Sequence, residues 1–174
     1  GLPRVNESGT LLEGIALWGE LKPLLTQEVL VERALQYCDW AVAKGLLAIR
    51  SHVDVCDERL LAVEALLHVR ERVKPYLDLQ LVAFPQDGLL RASNALANLK
   101  RALDLGVDVV GGIPHFERTA EQGAESVRLL CELAAERGLR QLPQHRDRRQ
   151  LSDQRPHPLP GPGGGLPERL RHAR

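Results

Sequence analysis

The sequence predicts an α/β fold with a parallel sheet, and three observations carry that expectation. Three apolar runs end in polar residues: LLAIRSH from Leu46 to His52, LDLQLVAFPQ from Leu77 to Gln86 and VDVVGGIPH from Val107 to His115. They start roughly thirty residues apart, the length of one βα unit. A helix-like segment follows each. Parallel strands covered by helices read as continuous apolar runs, and ligands meet such folds at the carboxyl ends of the strands. His52, Gln86 and His115 stand at those ends.

The elements follow in order. Residues 1–10 are polar and bear Gly and Pro, which predicts a loop. Leu11 to Leu25 is apolar and helix-prone, with Pro23 as its breaker. Thr26 reads as the N-cap of the next helix, with a partial capping signal because Val29 holds the box position. Leu30, Ala34, Leu35, Cys38 and Ala41 give that helix one apolar face, and Gly45 ends it. After the first strand, Asp57 is the expected cap of a helix holding Leu60, Leu61, Val63, Leu66, Leu67 and Val69, with Pro75 beyond it. The second strand exits through Phe84-Pro85-Gln86 into an Asp87-Gly88 turn. A helix from about Asn94 to Leu105 stops at Gly106, and one from about Ala120 to Arg137 stops at Gly138. One helix followed by three strand–helix units demands parallel strands with right-handed crossovers.

Bulk properties narrow the function. At 174 residues one domain is the default. The 23 basic and 23 acidic residues cancel, which gives no support for a nucleic-acid partner. No run approaches a membrane span, and no signal peptide opens the chain. The three cysteines, Cys38, Cys56 and Cys131, lack CxxC spacing and an even count, which points to a reduced, cytoplasmic protein. The first residue is not Met, so an upstream part is expected.

After Leu139 the character changes to Arg, Pro, Gln, Gly and His with few large apolar residues. Neither helical nor strand periodicity persists there, which predicts a disordered C-terminal tail. A nucleic-acid tail is disfavoured by the lack of interleaved aromatics.

Three strand exits could carry chemistry. His52 and Asp54 share a face, since alternate residues of a strand do. They could orient each other or bind a metal, or simply form a hydrogen-bonded pair at the strand end. Gln86 follows a rigid proline and offers both a donor and an acceptor, suited to the edge of a pyrimidine; the alternative is a loop-capping amide. His115 could touch substrate or act in acid–base chemistry, or hold its loop through Glu117. His68, within a helix, reads as a surface residue.

Four collinear segments resemble the cytosine deaminases of the amidohydrolase superfamily: Asn6 to Ile15 (NESGTLLEGI), Arg50 to Val55 (RSHVDV), Asp78 to Gly88 (DLQLVAFPQDG) and Gly106 to Glu117 (GVDVVGGIPHFE). The resemblance covers residues 6 to about 138. It implies a partial TIM (β/α)8 barrel of about three parallel strand–helix units over residues 1–139, with an irregular tail at 140–174. It implies a hydrolase that converts cytosine to uracil and ammonia in pyrimidine salvage, with iron or zinc as divalent metal. Gln86 matches the family's substrate-reading glutamine and Leu11 a leucine lining the base pocket. The segments with His52, Asp54 and His115 match family strand ends without an assigned role. The partner implied is a small pyrimidine base, not nucleic acid or membrane, with a homo-oligomer possible for the full-length protein.

The departures from the family pattern are specific. Its first metal ligands form an HxH pair upstream of Ser8-Gly9-Thr10, and a later strand carries HxxE where this chain has Pro143 and Arg146. A complete barrel needs about 250 residues. The stretch Arg146-Asp147-Arg148-Arg149-Gln150 can be encoded CGA GAT CGA CGA CAG. Read one base later this gives Glu-Ile-Asp-Asp, and Pro143 as CCA before C gives His. The tail is therefore compatible with a frameshifted deaminase gene, and sequencing the locus decides. The chain as given is expected to be inactive, with no catalytic or metal residue assigned. Two other readings stand: a related amidohydrolase acting on another cyclic amine or amide, and a non-enzymatic α/β ligand-binding module.

Overall fold

A computed structural model describes residues 5–139. The expected tail, the frameshifted stretch and the boundary after residue 139 lie outside the described residues.

The order is α1 (Leu11–Leu21), α2 (Gln27–Ala43), β1 (Ala48–Asp54), α3 (Leu61–Val73), β2 (Asp78–Phe84), α4 (Ala95–Asp104), β3 (Val109–Val110) and α5 (Ala120–Glu136). The strands form one parallel sheet in the order β1-β2-β3. Strand order follows chain order without a reversal. Right-handed crossovers in one direction place successive helices on the same side of a sheet, as in consecutive units of a (β/α)8 barrel. A doubly wound module reverses its order at a switch point, and the described strands have none.

The core lies between the sheet and its helices. Val53 of β1 and Leu79, Leu81 and Ala83 of β2 are buried with Val63, Val69 and Val73 of α3, Leu99 and Ala102 of α4, and Leu133 and Ala134 of α5. Each valine or leucine buried there stabilises the fold by about 1.5–3 kcal/mol. The alternate residues face the other way. Arg50 is exposed on that side, and its guanidinium donates to Gln80 Oε1 across the strands.

Local chemistry sets the boundaries. Thr10 and Thr26 cap α1 and α2 by accepting from the Glu13 and Val29 backbone N–H groups. Pro23 stops α1, and Lys22–Leu24 tightens into a 3-10 turn. The Asp57 cap is corrected. Its carboxylate is engaged by Arg59, through the backbone N–H at 3.1 Å and the guanidinium. The N-cap position belongs to Leu60, which is fully buried and left-handed at φ 51°. Its burial outweighs a conformation that a bulky residue rarely adopts. β1 reaches Asp54, two residues beyond the apolar run. β3 is only two residues long, although Asp108 and Gly111 each donate one more backbone bond to β2.

Candidate active-site cleft

Two clefts of similar size lie at opposite ends of the sheet. One, of about 650 Å³, is lined by Leu47, Arg70, Tyr76, Asp78 and Asp108 at the amino ends. The other, of about 710 Å³, follows the edge of β1 away from β2 and reaches the carboxyl ends. Leu11, Trp18, Tyr37, His52, Asp54 and Gln86 are among its walls. Ligands of parallel α/β folds meet the carboxyl ends, so the second cleft is the candidate site. It brings together four of the five residues singled out from sequence: Leu11, His52, Asp54 and Gln86. His115 is not among its lining residues. It is exposed on a 3-10 turn at Pro114–Phe116.

Leu11 opens α1 and is 58% exposed. The loop before it is folded by Glu13, whose carboxylate accepts from the Glu7 and Ser8 backbone N–H groups at 3.1 and 2.7 Å. Thr10 and Glu13 have capping-box spacing, but the Glu13 carboxylate reaches past the cap to the residues before it, and the Thr10 N–H donates to Ser8 Oγ.

Asp54 ends β1 and is buried. Its Oδ2 accepts from the Trp18 indole N–H at 2.7 Å and lies 2.8 Å from Lys22 Nζ. Its Oδ1 accepts from the Cys56 backbone N–H at 2.8 Å. This carboxylate is committed to three donors, none of them His52, so the expected pairing of His52 with Asp54 is corrected. Lys22 Nζ also lies 2.9 Å from Asp87 Oδ2. Burial alone would depress the Lys22 ammonium, but the two carboxylates outweigh it and hold it above its ordinary value.

His52 instead sets its ring edge-on to Phe84, with centroids 5.0 Å apart and planes at 84°. Burial, followed by the nearby Arg50 charge, pushes its imidazole below the ordinary range, which favours the neutral form. Cys56 sits under the next loop, where its Sγ accepts from the Asp87 backbone N–H at 3.4 Å. Burial pushes its thiol up to about 12, which makes it a packing group rather than a nucleophile.

Gln86 occupies a turn closed by the Gly88 N–H donating to Pro85 C=O at 2.9 Å. Gly88 has φ 91°, and a Cβ there would lie 2.8 Å from Arg91 Cβ and 3.1 Å from Glu117 Oε2. Only glycine suits both constraints. Gln86 is half-buried, and its amide has no hydrogen-bond partner among the described residues. The loop-capping work is done by Glu117. Its carboxylate accepts from the backbone N–H groups of Leu89, Leu90 and Arg91, at 2.6, 3.2 and 3.0 Å.

Among the described residues, no three His, Cys, Asp or Glu side chains stand together in a way that could hold a metal. His52 and Asp54 do not fit that role, since Lys22 and Trp18 take the carboxylate. Sequence reasoning missed Trp18, Lys22 and Asp87. The separations between the paired residues, 36 positions for Trp18–Asp54 and 65 for Lys22–Asp87, leave no local signal.

Comparison with known proteins adds the following. No family model matches the chain. A 5-methylcytosine deaminase from Klebsiella pneumoniae, solved with phosphonocytosine and again with 5-fluorocytosine, is 42% identical with a TM-score of 0.78. The match covers 80% of this chain and 34% of that one. An N-isopropylammelide isopropylaminohydrolase from Burkholderia multivorans is 28% identical with a TM-score of 0.61, over 79% of this chain and 34% of that one. A Pseudomonas N-isopropylammelide isopropyl amidohydrolase is 34% identical over 107 residues, which are 61% of this chain and 26% of the relative. The chain therefore spans about a third or less of the length of these relatives. With three consecutive βα units and a cleft at their carboxyl ends, the chain is similar in sequence and fold to about a third of these deaminase and amidohydrolase relatives.

Proposed function

We propose that residues 5–139 form the base-gripping wall of a hydrolytic cytosine deaminase, with Gln86 holding the amide edge of the pyrimidine and Leu11 packing on the ring. The observation that carries this reading is the unpaired Gln86 amide, set rigidly in a cleft shared with Leu11, His52 and two tryptophans. The 42% identity to a deaminase solved with cytosine analogues supports it. A glutamine amide can donate and accept at once, as adjacent C=O and N–H groups of a base require. The neutral imidazole of His52 adds an uncharged polar edge to the same wall.

The described residues offer no donor set for the divalent metal, iron or zinc, that this reading implies for the full-length protein. They are assigned the binding half of the chemistry, and no bond-breaking step is derived from them. The chain alone, supplied with Fe²⁺ or Zn²⁺, is expected to release negligible ammonia from cytosine; robust turnover overturns that assignment. Pyrimidine salvage in the cytoplasm accords with the same reading, as does a homo-oligomer for the full-length protein. Among the described residues no helix is long and apolar enough to cross a membrane.

A second reading, hydrolysis of a substituted triazine amine, rests on the 34% identity to the ammelide amidohydrolase. Titration of the full chain with cytosine, isocytosine and ammelide separates the two, read by the fluorescence of Trp18 and Trp40 in the cleft. Preference for cytosine, lost in Gln86→Ala, is the expected result. Preference for ammelide selects the second reading. Failure of all three to bind overturns both and leaves a non-enzymatic module.

A further inference from the structure

Three loops meet where β1 and β2 end, and one side chain joins them. Lys22 Nζ lies 2.8 Å from Asp54 Oδ2 and 2.9 Å from Asp87 Oδ2. The Lys22 carbonyl accepts from the Arg59 guanidinium at 3.0 Å, and Arg59 is itself bound to Asp57. Lys22 is thus fixed at its backbone as well as at its charge.

Asp87 directly follows Gln86. Pro85 on the other side is fully buried. Lys22 supplies the side-chain partner of Asp87 among the described residues. Asp54, by contrast, keeps Trp18 and the Cys56 N–H if Lys22 is lost. Removal of the ammonium therefore leaves the end of β1 tied and takes away the side-chain anchor of the turn that carries Gln86, which then keeps its backbone contacts alone.

We propose that Lys22 is a positioning residue for Gln86: by bridging Asp54 and Asp87 it clamps the Pro85–Gly88 turn and sets where the Gln86 amide meets a base. The proposal deepens the cytosine reading and rests on it for the identity of the ligand. The clamp itself is a statement about Gln86 with no ligand bound. Recognition groups lose effect when their support is loosened by about an ångström.

The test uses the full chain, 5-fluorocytosine as probe and two readouts. Fluorine NMR gives the affinity, and the ¹⁵N-labelled side-chain amide of Gln86, assigned with Gln86→Ala, reports its setting without ligand. Lys22→Met is expected to weaken the probe about tenfold and to move the Gln86 amide signals toward free-glutamine positions. Asp87→Asn should do the same, and the double variant should add little, because both changes break one contact. Lys22→Arg should restore most of the affinity. Arg70→Met, at the opposite end of the sheet, should lower the urea midpoint and leave the probe's affinity unchanged.

Unchanged Gln86 signals and affinity in Lys22→Met overturn the clamp. An equal loss in Arg70→Met overturns it too, since general loosening would then suffice. If the wild-type chain does not take up the probe, the pyrimidine reading fails, and the ligand-free amide signals still decide the clamp. Should Lys22→Met not fold, Asp87→Asn decides in its place.

Discussion

The two ends of the sheet are both tied by ion pairs, but they are tied to different purposes. At the amino ends, the Arg70 guanidinium donates to the Asp108 carboxylate and to Gly106 C=O, each at 3.0 Å, and Asp108 accepts from the Leu81 N–H at 2.8 Å. These contacts join strand, loop and helix across that cleft. At the carboxyl ends the charges of Lys22, Asp54, Asp87 and Glu117 are satisfied by one another and by loop backbone. Among the groups that face the cleft are two neutral polar ones, the Gln86 amide and the His52 imidazole. Cleft volume does not separate the ends, whereas the setting of the Gln86 amide does.

The comparison predicts a graded set of losses. The largest is Asp54→Ala, which leaves the Lys22 charge and the Trp18 N–H without their shared acceptor; urea unfolding should show a loss of about 3 kcal/mol. A loss as small as an exposed pair gives would mean that the two ends are alike. Glu117→Ala strips the acceptor from the backbone N–H groups of residues 89–91 and should cost about 2 kcal/mol, with faster hydrogen exchange confined to that loop. Arg70→Met breaks a partly exposed pair and should cost about 1 kcal/mol, less in high salt.

The smallest effect concerns pH. Burial and then Arg50 lower the folded-state pKa of His52, so as pH falls the unfolded chain takes up this proton first. Stability therefore falls with pH below about 6.5, the unfolded value. Urea midpoints at pH 7.5 and 5.5 should fall further for the wild type than for His52→Phe, which has no such proton. An equal fall in both proteins removes His52 from the set of groups that the cleft keeps neutral.

Much of the fold was legible in the sequence because its signals are local. Thr26 caps the next helix, Pro23 stops the one before it, and Asp87-Gly88 turns the chain within a few residues of where each acts. Leu60 was misplaced inside a helix because a buried leucine reads as helical core, and nothing local announces a left-handed backbone. Thr10-x-x-Glu13 carries capping-box spacing, although its carboxylate serves the loop before the cap. In the cleft, alternation along β1 placed His52 and Asp54 on one face. It could not say that Trp18 and Lys22, on an earlier helix and turn, would claim the carboxylate. Residues left for a ligand are those the rest of the molecule does not use, and sequence spacing cannot show that subtraction.

The close approach of α5 to the His115 loop has a mechanical consequence. A Cβ at Gly123 would sit 2.7 Å from the Pro114 carbonyl oxygen, so the first turn of α5 rests directly on the backbone beside His115. The loop is seated as a tip against a 17-residue helix whose far end is anchored by Leu133 and Ala134 in the core, while Glu117 ties it to residues 89–91 on the other side. A single methyl at position 123 would act as a wedge under that tip.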